Sequence, residues 1–371
     1  MKKKNKAIYL LFLMPFVYFA TACFVVWLVK TSGIYPSGSD TMYHVYRGDY
    51  VYNAIKSGNL YPLYDPAWYN GVEILRYWSP FPAYVMAFCQ YLAGGSQFGA
   101  YLFYIGGVCF LGACVWPFIG RGFNRPYLGA FIGLLWFFMP NNLCAIFIEG
   151  NLARSLSMIF LPVFIYSVYK YLYNHKLRYI PLMVFTFLLM ELCHLGYAGM
   201  VAIAVIIYGI VYMIQKGRKK AVLDVVISMI FGFMLLGIWL VASLRGGITS
   251  LDNSENMANF FQNLWITINP FERLTRGFEY FYFGFAALVV IVFGILFGYK
   301  KSRTGFVTGF IILLMTTKSA YAVLKHLPGS QYLWMLRFIS IALCMILMSF
   351  LMWDRLKKPL VLMLCVFTGL V

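Results

Sequence analysis

Asp40 and His44 stand four residues apart in the stretch Ser37-Gly38-Ser39-Asp40-Thr41-Met42-Tyr43-His44. If the segment from Thr41 to Lys56 is helical, the two lie one turn apart on one face. An acid and an imidazole so placed can handle a proton between them. The plainer reading of the same spacing is that Asp40 caps the helix while His44 faces water, with Gly58-Asn59 as the C-terminal stop. Glu149 sits in the short turn Glu149-Gly150-Asn151, which cannot carry it far from the elements on either side. Arg154, Arg337 and Arg76 are cations near helix ends, where each can hold an anion or reach toward lipid headgroups. Glu191 and His194 form an E-x-x-H element. Di-metal sites built on that element need a second copy and further carboxylates, so the pair reads as a hydrogen-bonded helix contact. His326 stands beside Pro328-Gly329, and Asp65, Glu73 and Arg76 are read as solvated by default.

The elements that must position these groups are built for lipid. Hydrophobic residues make up 62% of the 371 residues and charged residues 11%, and the mean hydropathy is +0.76. This is the composition of an all-α polytopic membrane protein. The net charge of +18 does not point to nucleic acid, because the lysines and arginines form short clusters between apolar runs rather than one basic face. Those clusters are Lys2–Lys6, Arg121 with Arg125, Lys176 with Arg178, Lys216–Lys220, Lys300–Arg303 and Arg355–Lys358. The first precedes the first run and the others follow alternate runs, which places them and the N-terminus in the cytoplasm. The first run, Ala7 to Val29, is long enough to span and lacks a cleavage site, so it reads as a retained helix.

Nine further runs complete about ten spans: 97–120, 127–148, 155–173, 179–193, 196–214, 221–244, 280–299, 305–324 and 333–353. Phe81 to Leu92 is too short to cross comfortably. Pro359 to Val371 stops after thirteen residues, a length that suggests an eleventh helix and a chain truncated at its C-terminus. The expectation is one transmembrane domain over residues 1–371, with external loops at about 30–80 and 245–279. The second loop, with Phe260-Phe261 and Leu264-Trp265 among charges, is either an amphipathic cover or a plain connection. The ionisable groups singled out above then gather on one side, as a single external cavity would require. No GxxxxGK[ST] is present, and the paired glycines are isolated, so no nucleotide is expected. The eight cysteines show no CxxC or other metal-ligand spacing, so neither a zinc site nor a disulfide framework is implied.

The first long loop continues through Gly58-Asn59-Leu60-Tyr61-Pro62, Tyr69-Asn70-Gly71 and Ser79-Pro80-Phe81-Pro82. Such aromatic density suits an interface belt or a carbohydrate-stacking surface. With the Asp after the first span, Gly150-Asn151-Leu152-Ala153-Arg154 followed by Leu161-Pro162, then His194, Leu327-Pro328 and Gln331 to Phe338, the order of motifs resembles a bacterial membrane family. That family is labelled 6-pyruvoyl-tetrahydropterin synthase-related and is akin to YfhO-type proteins and GT-C glycosyltransferases; the label implies no pterin chemistry. In the last motif the family shows a compact Gln-aromatic-Pro-Trp-Arg run, where this chain has Gln331-Tyr332-Leu333-Trp334-Met335-Leu336-Arg337.

The resemblance implies a GT-C-like helical bundle in the bacterial cell membrane. Asp40 would be the general base on an envelope glycan or lipid acceptor, with His44 beside it, and a polyprenyl-phosphate sugar the donor. Arg154, Arg337 and Arg76 are the candidates to hold the departing phosphate, with Glu149, His194 and Gln331 as further substrate contacts. No cofactor is expected; a divalent cation is compatible with the reaction, but no residue set calls for one. Two other readings stand beside it. A transporter or flippase for lipid-linked glycan predicts inverted repeats and helices broken near the midplane. A non-catalytic assembly scaffold predicts that Asp40 and Arg337 lie far apart.

Overall fold

The structure, a computed structural model, describes residues 2–36, 38–68, 71–245, 284–326, 334–353, 360, 363, 364 and 366. Among these residues the fold is helical, with no strand; bridge residues are isolated, as in the antiparallel pair Asp65 and Val72. The helices are α1 (Lys2–Ser32), α2 (Thr41–Lys56), α3 (Phe81–Leu92), α4 (Gln97–Gly122), α5 (Pro126–Trp136) and α6 (Pro140–Phe147). They continue with α7 (Leu152–Asn174), α8 (Tyr179–Cys193), α9 (Leu195–Lys216), α10 (Lys219–Leu235) and α11 (Gly237–Arg245). The last described are α12 (Gly284–Phe297), α13 (Lys300–Met315), α14 (Lys318–Leu324) and, after a 3₁₀ turn at Met335–Arg337, α15 (Phe338–Met352).

Helices α1, α4, α7 and α9 are long and apolar enough to cross a membrane singly. The pairs α5–α6 and α10–α11 have the same character but are bent by 44° and 65°. Proline explains the first break: Pro140 opens α6, where its missing N–H costs nothing. Helices α8, α12 and α15 are shorter apolar helices. Each of the ten apolar runs therefore carries helix, and the all-α polytopic architecture is the one the composition demands. The run expected to begin at Leu333 is helical only from Phe338, which leaves Arg337 on the turn before it. Gln331 and the loop at 246–279 lie outside the described residues.

Helix α7 runs through the middle, with 83% of its apolar window buried. Helix α15 is buried from Phe338 to Met352. Helices α4 and α5 approach to backbone contact because both carry glycine there. A Cβ on Gly129 would stand 2.4 Å from the Trp116 carbonyl oxygen, and one on Gly120 would stand 2.7 Å from Gly129 Cα.

Helices α2 and α3 form a smaller unit with the loop between them, around Val51, Ile74, Leu75, Ala83 and Ala87. Asp49 accepts from Gln90 Nε2 at 2.6 Å, tying the two helices together. Asp65 corrects the expectation of a solvated loop acid. It is 2% exposed, accepts from the Tyr46 hydroxyl and from the Ala67 N–H at 2.9 Å, and so pins the aromatic loop onto α2.

Candidate functional site

The turn before α2 is laced to the turn before α7. Ser39 N–H donates to the Ile148 carbonyl at 3.3 Å and Asp40 N–H to the Glu149 carbonyl at 3.0 Å. Ser39 Oγ donates to the same Glu149 carbonyl at 2.9 Å. The contact requires glycine on both strands of chain. A Cβ on Gly38 would lie 2.6 Å from Gly150 Cα, and one on Gly150 would lie 2.6 Å from Thr41 N. Gly150 also has φ +63°, a conformation that side chains disfavour. The Ser-Gly-Ser-Asp and Glu-Gly-Asn motifs are thus two halves of one joint, and it fixes where Asp40 and Glu149 point.

Asp40 stands at the N-cap position of α2, yet its carboxylate makes no capping hydrogen bond. The side chain, 3.2 Å from Ser39 Oγ, faces a cavity instead. Burial pushes its pKa above the usual carboxylate range, and Arg337 pulls in the other direction. His44, one turn on, is 9% exposed rather than solvated. Burial, with the Arg47 and Arg337 guanidinium groups nearby, lowers its pKa to about 3, so the imidazole is neutral.

Opposite Asp40, Glu149 bridges two arginines. Arg154 Nη2 donates to Glu149 Oε1 at 2.6 Å, and Arg337 Nε lies 3.3 Å from Oε2. The Arg154 side chain is 2% exposed, so it sits behind Glu149, while Arg337 reaches the open space. Asn151 caps α7, its Oδ1 accepting from Arg154 N–H at 2.9 Å.

His194 caps α9, its Nδ1 accepting from Tyr197 N–H at 3.1 Å. That bond leaves the proton of the neutral ring on Nε2. Nε2 lies 3.4 Å from Arg337 Nη1 and 3.5 Å from Asn151 Nδ2. Burial and the two arginines hold the His194 pKa far below its ordinary value. Three donors therefore converge on one spot, a geometry that suits an oxyanion.

The cavity in front of these groups has a volume of about 620 Å³, and Asp40, His44, Arg47, Asn151, His194 and Arg337, with Ser79 and Ser243, are among its polar lining. The aromatic rings of Tyr43, Trp68, Tyr77, Trp78, Trp239 and Trp334 supply much of the rest. This is the size and mixture of a ligand site.

Four of the residues singled out from sequence thus share one cavity: Asp40, His44, His194 and Arg337. Glu149 and Arg154 support Arg337 from behind. Arg76 is elsewhere, ion-paired with Glu73 and donating to the Ala242 carbonyl at 3.0 Å. His326 is exposed and does not line the cavity.

The expected Glu191–His194 pair is not formed. Glu191 Oε2 has no hydrogen-bond partner, because α8 ends at Cys193 and His194 turns to extended backbone, at φ −155° and ψ 94°, to start α9. Sequence reasoning missed Arg47, although it lies three residues after His44 and seven after Asp40, on the same helical face. It also missed Asn151 as a donor beside His194.

No solved structure matches the chain. An uncharacterized protein of Lactococcus lactis subsp. cremoris (strain MG1363) is 20% identical over 323 residues, covering 80% of this chain and 50% of that protein. The chain therefore spans about half the length of this curated relative. Residues 75–371 match the 6-pyruvoyl-tetrahydropterin synthase related domain, a membrane protein family. Glu149, Arg154, His194 and Arg337 fall within the matched region, and Asp40, His44 and Arg47 precede it. With a multi-pass helical fold and a match running from residue 75 to its last residue, the chain belongs to the 6-pyruvoyl-tetrahydropterin synthase-related family of membrane proteins.

Proposed function

We propose that the chain is a GT-C-like glycosyltransferase that moves a sugar from a polyprenyl-phosphate carrier to an acceptor in the bacterial cell envelope. The observation that carries this reading is that Asp40 and Arg337 face one cavity. In the reaction the acceptor oxygen attacks the anomeric carbon as the bond from that carbon to the phosphate oxygen breaks. Asp40 takes the acceptor proton, and its burial favours that role by raising its affinity for a proton. The bonding electron pair leaves on the phosphate, which needs no acid.

Arg337, His194 Nε2–H and the Asn151 amide are the donors that receive the phosphate. Glu149 and Arg154 hold Arg337 in place. The cavity's aromatic rings offer faces for a sugar. The alternation of basic clusters supports a cytoplasmic N-terminus and a cavity on the external side. No nucleotide or cofactor enters the scheme.

The test is the glycan composition of envelopes from cells carrying Asp40→Asn in place of the parent chain. Loss of one glycan decoration is expected. Parental glycans, with the variant at normal abundance, refute the assignment of Asp40 as base.

One observation favours movement of a lipid-linked glycan instead: α10–α11 is a broken span, bent by 65°, and Leu240 and Ser243 of α11 line the cavity. Proteoliposomes separate the two. Transbilayer passage of a fluorescent polyprenyl-phosphate sugar, without product when acceptor is supplied, supports the transporter.

A further inference from the structure

Arg47 is a buried cation without an acid. It is 1% exposed, and among the described residues no aspartate or glutamate forms an ion pair with it. The acids of its neighbourhood are engaged elsewhere: Asp49 with Gln90, Asp65 with Tyr46, and Asp40 facing Arg337. Its polar contact is Nη2 to the Trp78 carbonyl at 3.2 Å, and Nε has no partner. The guanidinium carbon lies 5.4 Å from the centre of the Tyr43 ring and 5.9 Å from that of Trp78. A guanidinium taken out of water and left uncompensated weakens the fold. It is understandable where a ligand brings the missing charge, and Arg47 lines the cavity.

We propose that Arg47, with the faces of Tyr43 and Trp78, forms an oxyanion subsite that holds a phosphate or carboxylate carried beside a sugar ring. The subsite is separate from the Arg337 cluster, whose cations already have Glu149. Asp40 and Arg47 are separated by seven residues of α2, or roughly 10 Å along the helix axis. The inference needs only the cavity. Resting on the transfer reaction as well, it makes the acceptor an acidic one, its hydroxyl at Asp40 and its charge at Arg47.

The test uses the purified chain in detergent and reads the thermal midpoint with glucose 1-phosphate, glucuronate or neutral methyl glucoside. The acidic probes should raise the midpoint of the parent, as any ligand that binds only the folded state does, and methyl glucoside should raise it less. Arg47→Met should lose the response to glucuronate and part of that to glucose 1-phosphate, whose phosphate the Arg337 cluster also takes, while its ligand-free midpoint stays level or rises, because an uncompensated charge has gone. A merely structural arginine predicts the reverse, a fall in the ligand-free midpoint.

Arg47→Gln, which keeps a donor toward the Trp78 carbonyl, gives the same answer if the methionine variant does not accumulate. Retention of the full response in either variant overturns the subsite. Nanodiscs with and without phosphatidylglycerol separate the sources: Arg47-dependent stabilisation by the lipid assigns a headgroup phosphate, and by glucose 1-phosphate a soluble one. Stabilisation by neither probe nor lipid overturns the proposal. Asp40→Asn should keep the response even where transfer is lost, so the two readings fail independently.

Discussion

Substituting Glu149 by glutamine tests whether the two arginines are held by one carboxylate. In the parent, Glu149 accepts from Arg154 at 2.6 Å and lies 3.3 Å from Arg337, with 12% of its side chain exposed and Arg154 at 2%. Removing one partner of a buried pair costs about 3–5 kcal/mol, because the other charge is left uncompensated. Arg154→Met is expected to cost less than Glu149→Gln, since Glu149 would still have Arg337.

The double variant removes both charges of that pair and leaves Arg337 alone, the same local net charge as in the parent. Its loss should fall short of the sum of the single losses by about 2 kcal/mol, within the range found for contacting charged pairs. In purified protein, roughly 1–2 °C of thermal midpoint per kcal/mol for a chain of this length makes the Glu149→Gln loss a shift of roughly 3–10 °C. The assay is the midpoint of all four proteins in one detergent. Single losses that simply add, or a Glu149→Gln midpoint within a degree of the parent, would refute the bridging role.

Two further outcomes follow from the joint and from the buried imidazole. Gly150→Ala places a Cβ 2.6 Å from Thr41 N at φ +63°, whereas Gly33→Ala has a similar φ of +69° and open space around it. Gly33→Ala should cost about 1–2 kcal/mol from the left-handed backbone alone and Gly150→Ala clearly more; equal midpoints would mean that the two turns are not packed together. His44 has its folded pKa lowered to about 3 from an ordinary 6.5, so the unfolded chain binds the proton first as pH falls. Stability from the neutral ring is complete above pH 6.5 and is lost as pH drops toward 3. Between pH 7 and 4 the midpoint of the parent should therefore fall further than that of His44→Gln, and parallel curves would show that His44 is solvated.

The spans were legible because lipid imposes their composition, and α8 begins and ends where the sequence places it; α2 and α3, outside the spans, were bounded by their own local end signals. The side-chain partners were less so, since they depend on where a helix stops. The Glu191–His194 spacing implies one face only if α8 continues past Cys193, and it does not. Asp65 finds Tyr46 nineteen residues away, a pairing that no local pattern encodes. Arg47 was hidden for a different reason: a loop rich in tyrosine and flanked by Gly48 and Asp49 reads as a wet surface until α3 and the Trp78 segment are laid over it.

What unites the residues that were found is their place in their helices. Asp40, Asn151, His194 and Arg337 each stand immediately before α2, α7, α9 and α15, and all four line the cavity. Four helix N-termini therefore meet at one space, each with the positive end of its dipole. Asn151 and His194 use their own side chains as caps, but Asp40 does not, which leaves its carboxylate for the cavity. A site so built favours negative charge even before Arg337 and Arg47 are counted. That bias holds equally for sugar transfer and for passage of a lipid-linked glycan, and it makes an anionic ligand the common requirement of both.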